Sequence, residues 1–160
     1  MSRKTLVTLL VLGLAATLGA CRKAPVAPPP AMVGHWEGKA EVAVNWCTAK
    51  ELAVSFTIAA NGSVTGKVGD ATLKEGHIYP NPGKQPTGVM LQTKYVIEAG
   101  LDGPLVAAEK ITRDEICIPV EVTKDGQLAG AFLTSGTETG SKEEKVFSGG
   151  LRPLTKTTPR

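Results

Sequence analysis

Few side chains in this 160-residue chain could do chemistry, and their spacing serves chemistry poorly. His35 and His77 are its only histidines. Neither stands in a His-x-x-x-His or near a Cys-x-x-Cys, so no metal site is expected. Gly140-Ser141-Lys142 and Phe147-Ser148-Gly149 both lack the Gly-x-Ser-x-Gly elbow that lifts a nucleophilic serine out of a strand-to-helix turn. The neighbouring carboxylates Asp114-Glu115 and Glu143-Glu144 point to opposite faces of an extended chain and do not converge as an acid/base couple. Gly66-x-x-Gly69 precedes no helix, so it reads as a bulge or tight turn rather than a phosphate cradle. A non-catalytic chain without cofactor is expected. One loop has binding-type residues: Tyr79, Asn81 and Lys84 stand among prolines between Tyr79 and Pro86. Loops held by a rigid scaffold often carry recognition, although a stiff connector is the plainer reading. Three cysteines remain to be placed: Cys21, Cys47 and Cys117.

The elements that would position these groups are strands. Eighteen glycines and eleven prolines favour turns over long helices, and the length suits one domain. From Trp36 to Trp46 apolar or small residues occupy the even positions, with Glu37, Lys39, Glu41 and Asn45 between them, which predicts a half-buried strand. Leu52, Val54, Phe56 and Ile58 repeat the pattern, and Asn61-Gly62 then marks a hairpin. Further strands are expected at about 64–68, 71–78, 88–98, 104–111, 115–123, 126–133 and 144–151, with turns at Asp102-Gly103-Pro104 and Asp125-Gly126. Val106–Thr112 has some helical propensity but is short and flanked by turns, so it is read as strand. The expected fold is all-β: a single antiparallel barrel of eight or nine strands, with a β-sandwich as the alternative.

The N-terminus is an address. Arg3 and Lys4 precede an uncharged run from Thr5 to Ala20, and small residues lead into Cys21. This is the layout of a secretory signal peptide, too short for a membrane span. Leu18-Gly19-Ala20-Cys21 resembles the lipobox of bacterial lipoproteins. The resemblance implies a signal peptide over 1–20, cleavage before Cys21, and acylation of that cysteine as a membrane anchor. Arg22 in place of Asp at the next position implies the outer membrane, facing the periplasm. Residues 21–33, with four prolines, read as a lipidated tether that could extend about 35 Å as polyproline II. The folded domain is expected over 34–152 and a loose tail over 153–160. Removing the signal takes the net charge from +3 to +1, and residues 34–152 alone carry 12 bases against 15 acids. No basic patch interleaved with aromatics is present, so no nucleic-acid partner is expected.

With Cys21 assigned to lipid, an exported location favours a Cys47–Cys117 disulfide, both residues falling on the polar face by alternation. Two separate thiols are the alternative. Gly34-His35-Trp36 at the start of the first strand and Arg152 at the end of the last resemble the lipocalin-like small barrels, in which a late Arg packs across the first-strand Trp. The resemblance stops at these positions: Thr93-Lys94-Tyr95 has Lys where the lipocalin motif has Asp. Trp36 as a plain core aromatic is the other reading. The expected role is a lipid-anchored binding or interaction protein, its partner an envelope protein or a small hydrophobic ligand. Inhibition of lysozyme or a protease is the alternative, and an enzyme is a third, weaker one.

Overall fold

A computed structural model describes residues 25–81 and 93–158 of the chain. The signal segment, Cys21, Lys84 and the first residues of the strand expected at 88–98 lie outside them. The described residues are strands and connections: β1 Gly34–Val42, β2 Glu51–Ile58, β3 Ser63–Val68, β4 Ala71–Pro80, β5 Tyr95–Asp102, β6 Ile111–Thr112, β7 Glu115–Val122, β8 Leu128–Glu138 and β9 Glu144–Thr157. Successive strands pair antiparallel, β9 pairs with both β1 and β8, and the sheet thereby closes on itself. The result is an eight-strand meander barrel in which the two-residue β6 is an extra piece. β6 lies in line with β7 along β8, displaced by a one-residue slip at Arg113-Asp114. Closure explains how strands that no helix covers, among the described residues, leave no long exposed edge.

Alternation sorts the side chains as the pattern predicts. Trp36, Phe56, Ile58, Val68, Ile78, Ile97, Ile118, Leu128, Phe147 and Leu154 point inward with no accessible surface at all. A water-sized void beside any of them would give it some, so the interior is packed with side chains, as eight strands allow.

Each mouth of the barrel is closed by non-strand chain. At one mouth, residues 25–33 fold back on the barrel: Val26 N–H donates to Ile78 O (3.2 Å), and Trp36 Nε1 donates to Met32 O (2.8 Å). Met32 is itself buried in the core. Gly62 in the β2–β3 turn has φ of +85°, and a Cβ there would run into the Val26 carbonyl oxygen. The expected tether is therefore part of the folded body from about Pro25 onward. At the other mouth, residues 103–110 cross the opening. Leu105 is buried, Asp70 N–H donates to Leu105 O (3.1 Å), and Ala107 N–H donates to Asp70 Oδ2 (2.9 Å). The strand expected at 104–111 is thus a connection, and only Ile111–Thr112 is strand. Its inward residue plugs the mouth instead of lining the wall. At the chain's other end, β9 continues to Thr157 with Leu154 in the core, so the first five residues of the expected tail are strand.

Candidate functional site

Two features lie near the mouth crossed by 103–110, one on the outer wall and one buried beneath it. The first is a groove on the outer wall, about 450 Å³, lined among others by Glu98 on β5, Glu115 and Cys117 on β7, Leu133 and Ser135 on β8, and Val146 on β9. Cross-strand register puts Cys117 between Glu98 and Leu133, and Ser135 opposite Val146. Thr134 turns inward, is buried, and donates its hydroxyl hydrogen to the Glu115 carbonyl. Val146, unusually for its type, is 47% exposed. The floor is apolar, and Glu98, Glu115 and Glu144 give it an acidic rim.

The second feature is a buried charge pair under aromatic cover. Arg113 Nη1 meets Glu109 Oε2 at 2.7 Å, with side-chain exposures of 1% and 9%. The guanidinium lies 4.8 Å from the Phe147 ring centre and 6.0 Å from that of Trp46. Trp46 packs edge-on to Phe147 at 5.5 Å and remains 41% exposed. Lys145 Nζ sits 5.8 Å from the outer indole and 2.7 Å from Glu138 Oε2. That bond holds the Glu138 carboxyl below, and the Lys145 ammonium above, their ordinary titration ranges. Among the described residues, Arg113 Nε and Nη2 and Glu109 Oε1 find no hydrogen-bond partner. The slip between β6 and β7 aims Arg113 into the barrel mouth. Alternation does not announce it: Arg113 falls between the strands expected at 104–111 and 115–123, and the one signal is its place four residues after Glu109.

Cys47 and Cys117 are not joined to each other. Cys47 lies beyond the end of β1, in the connection to β2, and belongs to the core; Cys117 lines the groove on the outer wall. The expectation that both face outward fails for Cys47: the pairing with β9 ends at the Ala43 N–H to Ser148 O bond, and beyond it alternation no longer governs the chain, which buries Cys47. Burial, and after it the Glu109 carboxylate, pushes the Cys47 thiol above its ordinary range, opposed by a hydrogen bond at Ala49.

The Trp–Arg closure is also corrected. Lys156, opposite Trp36 in register, places Nζ 5.5 Å from the indole centre. Arg152 instead pairs on the outer face with Glu41 (2.6 Å) and Glu51 (2.9 Å). The β1–β9 register sets Lys156, four residues after Arg152, opposite Trp36, and leaves Arg152 beside Leu151, the partner of Ala40.

The base of the 79–86 loop is cross-tied. Asn81 N–H donates to Lys94 O, and Asn81 Nδ2 donates to Thr93 Oγ1, both at 2.9 Å. Tyr79 lies beside His77 with ring centres 6.5 Å apart. The two histidines are not brought together: His35 on β1 contacts Thr57, Ser55 and Glu37, with β2 and β3 between it and His77 on β4. Among the described residues, no three of His, Cys, Asp and Glu are placed to hold a metal. Comparison of the chain with family models, curated proteins and solved structures gives no match.

Proposed function

We propose that this chain is a lipid-anchored, non-catalytic interaction protein of the bacterial envelope, attached through Cys21 and facing the periplasm from the outer membrane. The observation that carries the reading is the packed interior. A barrel filled by Trp36, Phe56, Phe132 and Phe147 has no lumen for a small hydrophobic ligand, so recognition falls to its outside. The outer groove, with Val146 and Trp46 exposed beside an acidic rim, has the mix of apolar centre and charged edge that protein interfaces use. The lipobox resemblance supports the anchor.

The test uses the full chain expressed in a bacterium fed an alkyne fatty acid. The expected result is acylation that Cys21→Ser abolishes; an unacylated chain overturns the anchor. A photo-crosslinker at Val146 is expected to give a discrete protein adduct that the same probe at Thr72, across the barrel, does not. Adducts at both sites or at neither overturn the interaction surface. The acidic rim keeps inhibition of a basic enzyme such as lysozyme as the second reading. Equal lysozyme activity with and without the purified domain rejects it.

A further inference from the structure

The mouth closed by residues 25–33 is the one from which the chain continues toward Cys21, and its distance from that cysteine is short. Residues 25–33 are folded onto the barrel by the Val26–Ile78 and Trp36–Met32 hydrogen bonds, by the close approach of Val26 to Gly62, and by Lys156 Nζ donating to Ala31 O (3.3 Å). Only residues 22–24 separate this collar from Cys21. Four Cα steps span at most about 14 Å even when fully extended. The 35 Å standoff of a free proline-rich spacer is not available.

Charge is divided along the barrel axis in the matching sense. Each mouth comprises its connecting segments together with the three nearest residues of every wall strand. Around the far mouth, ten Asp and Glu face six Lys and Arg. Around the collar mouth, among the described residues, Lys94, Lys124 and Lys156 face Glu121 and Asp125, all exposed. In the sequence Arg22 and Lys23 directly follow Cys21. Cationic groups within a Debye length of an anionic bilayer are attracted to it, and anionic groups are driven away. Covalent reach and charge both point the same way.

Resting on the anchor reading above, we propose that the collar mouth seats directly on anionic lipid headgroups. The proline segment then works as a docking collar, and the Trp46–Arg113 mouth with its groove is held facing away from the membrane. The partner of this surface is the anionic headgroup layer itself.

Amine footprinting of the full acylated chain in vesicles tests the seating. Acylation by mass and co-flotation are checked first. Lysine labelling rates are then compared with those of the Cys21→Ser chain in solution. In vesicles containing phosphatidylglycerol, Lys94 and Lys124 are expected to label several-fold more slowly, with Lys67 and Lys142 at the far mouth unchanged. Vesicles of phosphatidylcholine alone are expected to give little slowing at any of them. An acylated, co-floating chain in which Lys94, Lys124 and Lys142 keep their solution rates overturns the seating and leaves the anchor standing. Equal slowing on both kinds of vesicle overturns the anionic-headgroup assignment. A chain that is never acylated overturns the anchor, and the seating with it.

Discussion

Arg113 is the residue on which most of the barrel mouth depends. Its guanidinium is placed among Phe147, Trp46 and the Glu109 carboxylate with almost no access to water. A charge so placed is tolerated because Glu109 neutralises it. Removing one partner leaves a desolvated charge, which typically costs about 3–5 kcal/mol. Glu109→Ala is therefore expected to lower the unfolding free energy by about that much in urea titration. The double change Glu109→Leu, Arg113→Leu is expected to lose far less, because two apolar side chains need no compensation. A Glu109→Ala loss below about 0.5 kcal/mol, the range of ordinary surface substitutions, contradicts the buried pair. Cys47, in the same layer, gives a pH signature. Its thiol titrates higher when folded than when unfolded, where the ordinary value is about 8.5. A group with a raised folded pKa contributes stability below its unfolded pKa and loses it as pH rises toward the folded one. Stability should thus fall on the alkaline side above about pH 8.5, and Cys47→Ala should flatten that limb relative to the parent. An unchanged slope in the variant contradicts the assignment to Cys47.

At the scale of the element, alternation makes the walls legible and says little about the mouths. β2 runs Glu51–Ile58 as the pattern predicts because Leu52, Val54, Phe56 and Ile58 all reach one packed interior. The same pattern overruns at β1. Alternation continues through Trp46, but the strand ends at Val42 with one further ladder bond from Ala43 to Ser148, and beyond it Trp46 packs on Phe147. Residues 103–110 escape the pattern for a related reason: one buried side chain, Leu105, closes a mouth from irregular backbone that has no period to detect. The candidate site is the least legible part. The groove forms where β7, β8 and β9 bring their outer faces together, and Arg113 enters the mouth through a one-residue slip, both long-range facts of register. The bulge or tight turn expected at Gly66 is a bulge across from it: between Val64 and Gly66 the register advances two residues on β3 and three on β4, so the extra residue is on β4 near Glu75, whose φ is +48°. At Gly66 itself φ is +145°, and a Cβ would run into the Ser55 carbonyl and the Phe56 backbone. Gly66→Ala is expected to cost about 3 kcal/mol or more, against a loss within about 0.5 kcal/mol for Gly150→Ala, whose Cβ would meet open space. Similar losses for the two would show that the tight approach at Gly66 does not exist.

For the whole molecule, the decisive act is closure, and closure depends on the last strand. Seven successive hairpins would leave two open edges; β9 removes both by pairing with β1 on one side and β8 on the other. The residues that do so include ones that composition alone assigns to a tail. Thr155, Lys156 and Thr157 pair with Glu37, Trp36 and His35, and Leu154 is wholly buried opposite Leu128. The sequence from 153 onward, Pro-Leu-Thr-Lys-Thr-Thr-Pro-Arg, reads as loose because it holds one large apolar residue and two prolines. That single leucine suffices because the wall around it is already packed. A chain truncated after Arg152 loses Leu154 from the core, which by itself costs about 2–5 kcal/mol, and the ladder over Trp36 with it. It is expected to unfold at markedly lower urea, and to present the β1 edge near Trp36 for aggregation. Truncation after Thr158 removes no paired residue of the described barrel and is expected to leave the urea midpoint unchanged. If the two truncated chains unfold at the same midpoint, β9 does not close the barrel beyond Arg152. The collar, held in part by Lys156 and Trp36, would then need another support.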